Sequence, residues 1–205
     1  MATKNVLIVA RTRMYGARVC VGALSDTGES LRLMNPRCES DIGANSPYKT
    51  GEWWKVTCEP CGTLPPPHVE DVAVSASSRV GEEANLTRYL IGATKPWRGP
   101  IDSLFDGKIR FTGSGAGYIS RDAIPTGATG FWIPNSPLRL EVDSRDKHGY
   151  FTDYSRHLSY VGLQEEVDVI QPGQLVRVSL ARWWKPRDAD SSFEERCYAQ
   201  LSGWY

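Results

Sequence analysis

Two hexamers, "GEWWKV" at Gly51–Val56 and "GQLVRV" at Gly173–Val178, lie far apart in a chain of 205 residues and can be laid over one another. Each follows a short strand-like run, "LRLM" at Leu31–Met34 and "LSYV" at Leu158–Val161, and a polar connector that contains proline. One pattern recurring late in two runs of short strands is the signature of a duplicated β unit. Working outward from the first copy, Val6–Ala10, Arg18–Leu24, Ser30–Met34, Gly51–Glu59 and His68–Ala76 read as strands. Asp26-Thr27-Gly28, Pro60 and the stiff Pro65-Pro66-Pro67 supply the turns between them. Five short strands in so little chain suit a small barrel. Around the second copy, Phe131–Ile133, Leu138–Val142, Tyr150–Tyr154, His157–Val161, Gln174–Trp183 and Arg196–Trp204 read the same way. Between the two sets, Gly81–Ile91 changes to helical spacing, with Leu86, Tyr89 and Leu90 on one face. Gly92–Gly130, with eight glycines and three prolines, reads as irregular connection with one or two short strands.

Alternation within the strands separates core from surface. Trp54 shares a face with Val56 and Cys58, and Trp53 with Lys55 and Thr57, so Trp53 is the expected outer ring. In "RVSLARWWKP", Arg177–Pro186, the inner set is Val176, Val178 and Leu180; Arg177, Ser179, Ala181 and Trp183 fall outside, and a bulge near the strand end would exchange Trp183 with Trp184. In the last strand Cys197, Ala199 and Leu201 are the apolar set, which turns Tyr198, Gln200 and Trp204 outward. An outer array of Arg177, Trp183, Lys185, Tyr198 and Trp204 results. Rings beside cations are what a single-stranded nucleic acid requires, because bases stack while Arg and Lys neutralise phosphate. The competing reading is that the rings cover a junction between the two β units or dock a partner protein.

Charge and cysteine content narrow the classes. Lys plus Arg equals Asp plus Glu at 24 each, so any polyanion site is a local patch and not a whole-molecule field. Five cysteines without an even framework, and an N-terminus "MATKNVLIVA" that enters a strand directly, argue for a reduced, unprocessed, cytoplasmic protein. No apolar run approaches the ~20 residues that span a bilayer, which excludes a transmembrane helix.

Several weaker signals carry chemistry. Cys58-Glu59-Pro60-Cys61 is a CxxC, but its nearest further ligands, Cys38 and His68, are irregularly spaced, so no zinc is expected and the two cysteines read as a reduced, partly buried pair. Gly113–Gly117, "GSGAG", could cradle a phosphate, yet no Lys-Ser/Thr and no helix pattern follow, and a flexible turn is the plainer reading. Arg11 and Arg13, at the end of the first strand, are placed to grip phosphate. The histidines His68, His148 and His157 are scattered, and no nucleophile-base set is visible, so no catalytic residues are assigned; a hydrolase or nuclease is the third reading after the two binding modes.

The segments "VLIVARTR" at Val6–Arg13, "VCVGA" at Val19–Ala23 and "SLRLMNP" at Ser30–Pro36, with "HLSYVGLQEEV" at His157–Val167, "QPGQLVRVSLARWWKP" at Gln171–Pro186 and "RCYAQLSGWY" at Arg196–Tyr205, resemble the dual-OB-containing domain of prokaryotic conflict (anti-phage) loci. The resemblance covers nearly the whole chain. It implies an all-β protein of two tandem oligonucleotide/oligosaccharide-binding (OB-like) barrels, a role in handling nucleic acid or nucleotide, and effector company such as a helicase or nuclease. It brings no catalytic residues and no cofactor. The resulting expectation is residues 1–78 as the first barrel, 79–129 as helix and connector, and 130–205 as the second barrel. The module is non-catalytic, binds single-stranded nucleic acid or a nucleotide, and has no membrane partner. Its expected binding residues, taken from alternation, are Arg11, Arg13, Trp53, Lys55, Arg177, Trp183, Lys185, Tyr198 and Trp204.

Overall fold

The computed structural model describes the chain apart from residues 15, 17, 41–45, 144–145, 153–154, 189 and 191–192; the expected strand end at Tyr154 lies outside the described residues. The chain divides into two units. The first comprises Met1–Lys95 with Val161–Leu163 and Tyr205, and the second comprises Pro96–Tyr160 and Gln164–Trp204.

The first unit is a closed barrel of β1 (Ala2–Arg13), β2 (Val19–Ser25), β3 (Ser30–Met34), β4 (Glu52–Pro60) and β5 (Asp71–Glu82), in the order β1-β2-β3-β5-β4. Closure depends on β1 being long enough for two partners. Its first half, Ala2–Leu7, pairs with β4, and Val6–Arg13 pairs with β2, both antiparallel. The register shifts between Ile8 and Ala10, a bulge at which the strand bends from one neighbour to the other. The remaining seam is the parallel pairing of β3 with β5, Arg32↔Asp71 to Met34↔Ala73. There Arg32 donates from Nε and Nη2 to the two carboxylate oxygens of Asp71, at 2.7 and 2.5 Å. Alternation builds the interior: Trp54, Val56 and Cys58 from β4 meet Val6, Ile8, Val21, Ala23, Leu31, Leu33 and Val72. The ring of Trp54 packs edge-on to Tyr48 at 4.7 Å and donates its indole N–H to the buried Glu52.

Helix α1 (Leu86–Ala93) starts later than its pattern suggested, because β5 runs on to Glu82; Asn85 caps it, its side chain accepting from the Arg88 N–H at 3.0 Å. The cysteines depart from expectation. Alternation carries Cys58 into the barrel, while Cys61, just beyond the strand, is disulfide-bonded to Cys38 across a Cα–Cα distance of 5.6 Å. The expected reduced Cys58/Cys61 pair is therefore replaced by a bond that ties the loop after β3 to the loop after β4.

The stretch 79–129 is not a bare connector. Its first part completes β5 and α1. The rest supplies β6 (Trp97–Gly99), a 3-10 turn (Ile101–Ser103), α2 (Leu104–Gly107), β7 (Arg110–Phe111) and β8 (Gly117–Ser120), with Ile101, Leu104, Phe105, Ile109 and Ile119 buried in the second core. These pieces are too short to show a period, which is why their apolar residues look like loop. Gly130 has a packing reason: a Cβ there would lie 2.3 Å from the Trp97 ring, which covers the bare backbone.

The second unit repeats the first in topology. β9 (Thr129–Pro134) and β10 (Leu138–Val142) are consecutive pieces of one strand path; β11 (His148–Phe151), β12 (His157–Tyr160), β13 (Val169–Ile170), β14 (Val176–Leu180) and β15 (Arg196–Trp204) follow. β9 pairs with β14 and β10 with β11, as the two halves of β1 pair with β4 and β2. β12 and β15 pair in parallel, as β3 and β5 do, and β14 pairs with β15 antiparallel. The strands of the two hexamers, β4 and β14, thus hold the same place in their pairing orders: Trp54 pairs with Val6 of β1, and Val176 with Trp132 of β9, all of them core. The first unit closes into a barrel, whereas the second unit's strands lie in one sheet in the order β13-β10-β11-β12-β15-β14-β9-β6, in place of the expected second barrel. Added ladders distinguish the second unit, with β13 on β10, β6 on β9, and the β7–β8 pair on β15.

Because Trp54 fills the first barrel while Trp53 sits half-buried on its outside, Trp54→Ala should lower unfolding stability by about 3 to 5 kcal/mol and Trp53→Ala by clearly less. Urea titrations of the two variants read this directly; equal losses would contradict the assignment of faces.

Candidate functional site

The second unit carries a groove of about 630 Å³ on the outer side of its sheet. Alternation on β11 and β12 makes it. Tyr150, Leu158 and Tyr160 point into the core, which leaves Gly149, Phe151, His157 and Ser159 on the outside. Phe151 and His157 are direct cross-strand partners, and their rings stack at 4.4 Å with 23° between planes. The next pair along is Gly149↔Ser159, two residues with almost no side chain, and this opens depth beside the stack. The turn at Ser114 and Ala116 lines the groove as well. That turn packs closely on the chain before β12: a Cβ on Gly115 would collide with the Ser155 carbonyl oxygen at 1.3 Å, and the Gly115 carbonyl accepts the His157 N–H at 2.9 Å.

The other side is aromatic. Tyr198 of β15 faces Trp184, with ring centroids 6.0 Å apart, and Trp184 is 50% exposed. Trp183 is the packed ring: it lies against the second core under the guanidinium of Arg121, 4.0 Å from the ring centroid. The two tryptophans are thus exchanged relative to simple alternation, and the ladder shows why. Leu180 pairs with Ala199 and Trp184 with Arg196, so three residues, 181–183, span a gap that two, 197–198, span on β15. One extra residue turns the strand over.

The same mechanism moves Trp204. Arg177 pairs with Gly203 and Val178 with Leu201, which leaves Ser202 as an extra residue, and beyond it Trp204 pairs with the core residue Val176. Trp204 therefore packs inward against Tyr150 and Tyr160, at 5.9 and 5.4 Å. Arg177 is only 6% exposed and donates to the Ser202 hydroxyl at 3.0 Å, so it is no surface cation. Lys185 is half-buried in the loop after Trp184.

The remaining expected residues belong to the first unit. Trp53 does face outward, but it is occupied: it meets Tyr89 of α1 edge-on at 5.2 Å and donates to Glu83 at 3.1 Å, so it docks the helix. Lys55 is exposed in mid-strand. Arg11 is half-buried and its carbonyl accepts the Leu163 N–H, while the N–H of the exposed Arg13 donates to Val161, so both extend the end of β1 against residues 161–163. Of the nine residues read from alternation, only Tyr198 lines the groove. Phe151, His157, Gly149 and Ser159 were legible by the same rule applied to β11 and β12.

Charge at the groove is mixed. Glu141, Asp143 and Lys147 lie at its edge, at the end of β10 and in the hairpin leading to β11. His148 also lines it, its Nδ1 2.5 Å from the Glu166 carboxylate. Burial holds His157 below the usual histidine pKa, against a backbone hydrogen bond at Ser155 and the carboxylates of Glu141 and Asp143. Four arginines elsewhere in the unit are answered by acids: Arg110 by Asp122 at 2.8 Å, Arg121 by Glu195 at 2.6 Å, Arg196 by Glu194 at 3.3 Å and Arg156 by Asp102 at 2.6 Å. Lys147 is the one Lys or Arg among the described residues that line the groove.

In an OB fold the outer face of the second and third strands, with the loops joining strands one to two and four to five, is where ligands are held. β11 and β12 are those strands here, Asp143 and Lys147 belong to the first loop, and Trp184 stands in the second. The dual OB-containing domain family matches residues 4–204. The chain belongs to that family. No curated protein and no solved structure matches it. The dual OB-containing architecture is a binding one. Two of the free thiols are enclosed: burial raises the pKa of Cys58 and pushes that of Cys197 up to about 12. Among the described residues no group of three or more His, Cys, Asp or Glu is arranged for a metal ion, and no helix is long and apolar enough to cross a membrane.

Two measurements test this geometry. Trp183→Ala should destabilise the protein by about 2 to 3 kcal/mol, whereas Trp184→Ala, losing a half-exposed ring, should change stability by under about 1 kcal/mol; the reverse order would restore simple alternation. His157 has a folded pKa below its unfolded value of about 6.5, so the unfolded chain takes up a proton that the folded state resists. Its contribution is intact above that pH and declines as the pH falls through it. His157→Phe, which keeps a ring on Phe151, should lose less stability than wild type between pH 7.5 and 5.5 in parallel urea titrations.

Proposed function

We propose that the groove of the second unit holds a nucleobase, presented by a nucleotide or by a short single strand, and that the protein is a non-catalytic recognition module. One observation carries the reading: aromatic rings, Phe151 with His157 and Tyr198 with Trp184, flank a groove of small residues on the face where OB folds hold ligands. Stacking on such rings contributes about 1 to 3 kcal/mol per base. Arg110, Arg121, Arg156 and Arg196 are each engaged by a carboxylate, and Lys147 is the one Lys or Arg in the described lining of the groove, which favours a short ligand over a long polymer track. A second reading has its own support: Trp184 and Val142, 50% and 52% exposed, both line the groove, and an exposed apolar pair with a charged rim can dock a partner effector such as a helicase or nuclease. A place in an anti-phage system and in the cytoplasm belongs to the same proposal; in a reducing cytoplasm the Cys38–Cys61 bond would be transient.

Titration of the protein with nucleoside monophosphates and labelled short single strands, read by tryptophan fluorescence and calorimetry, should give saturable binding with a shallow salt dependence. Trp184→Ala should weaken it roughly 5- to 150-fold, matching one stacked base. No binding of any nucleotide or single strand would overturn the proposal in favour of partner docking.

A further inference from the structure

Resting on the base-binding reading of this groove, its hydrogen-bonding inventory specifies which base fits. A flat ring held among Phe151, His157, Tyr198 and Trp184 presents its edge to the rim, and the rim is set by the end of β10 and the hairpin that follows. Two of the charged side chains there, Glu141 and Asp143, are carboxylates, which when ionised only accept hydrogen bonds. Asp143 is already engaged, since its Oδ1 accepts the Lys147 N–H at 3.0 Å and shapes the hairpin. Glu141 is different: it is exposed on the strand beside Gly149, its direct cross-strand partner, and its side chain makes no hydrogen bond or ion pair among the described residues. Because Gly149 has no side chain, nothing on that neighbour stands between the Glu141 position and the open middle of the groove. A carboxylate has two parallel acceptor oxygens and is matched by two parallel N–H donors on one edge.

We infer that the groove is selective for guanine, with Glu141 accepting from its N1–H and N2–H while the ring stacks among Phe151, His157, Tyr198 and Trp184. Guanine alone of the common bases offers two adjacent donors. Adenine and cytosine place a ring-nitrogen acceptor beside their amine, which would face the carboxylate with like polarity, and uracil has one N–H between two carbonyls. Lys147, on the same rim, carries the opposite charge and suits the phosphate of a nucleotide.

The test is calorimetric titration of the intact protein with GMP, IMP, AMP, CMP and UMP, which carry the same phosphate and differ in the base. GMP should bind tightest. IMP, which keeps N1–H but lacks the N2 amine, should bind roughly tenfold more weakly, and the others weaker still, in line with the discrimination of a bidentate base contact. Glu141→Gln, an exposed substitution, should erase most of the GMP preference while leaving stacking intact, whereas Trp184→Ala should weaken all five together. Equal affinity for the five nucleotides, or a preference for another base, overturns guanine selectivity and leaves base binding standing. An unchanged GMP preference in Glu141→Gln overturns the role of that carboxylate. Failure of all five nucleotides and of short single strands to bind overturns both this inference and the reading beneath it.

Discussion

In each unit a short parallel ladder joins strands that are not neighbours in sequence, and the rest of the structure depends on those two seams. Hairpin pairings form locally, but β3 and β5 meet only after the chain between them has been ordered, over three residue pairs. Ladder bonds over that length are few, and the Arg32–Asp71 pair reinforces them with two charge-assisted hydrogen bonds at the start of the seam. Burial raises the pKa of Asp71 while Arg32 pulls it down, so the carboxylate is comfortable only with its partner in place. In the second unit the equivalent seam, Ser159↔Gln200 and Tyr160↔Leu201, has a different reinforcement: Tyr160 packs on Tyr150 and Trp204, so aromatic area replaces the ion pair.

The seam of the second unit also builds the groove. β12 brings His157 and Ser159 to its outer face, and pairing with β15 places Tyr198 on the same side. Had β12 and β15 separated, Phe151 and His157 would remain a hairpin stack with no opposing wall. What the protein can bind is therefore set by the same ladder that holds the fold. Neutralisation works at the same scale. Arg110, Arg121, Arg156 and Arg196 of the second unit are each engaged by a nearby carboxylate, and only Lys147 among the described groove-lining residues is a Lys or Arg, so that recognition falls to ring faces and to the polar groups at the rim.

The cysteines show a similar division of labour. Cys58 and Cys61 stand three residues apart and look like a functional pair, yet one is inside the barrel and the other is bonded to Cys38 from a different loop. Strand alternation decides the first placement. The second follows from two loops meeting at one end of the barrel, which no spacing rule encodes.

The sequence by itself determined that the chain is mostly β, that it holds two related units, and which residues of β4, β14 and β15 are core up to the point where a bulge intervenes. All of that follows from alternation and turn chemistry, which are properties of a few consecutive residues. It also carried the family resemblance that the match over residues 4–204 supports. Tertiary structure alone decided the outer face. An extra residue opposite β15 put Trp184 outward and Trp183 inward, Ser202 turned Trp204 into the core, α1 covered Trp53, and Arg177 was enclosed beside Ser202. A bulge is a mismatch between two strands, and coverage is contact between distant segments; neither exists until the partner strand or helix is in place, so neither is written in the local pattern.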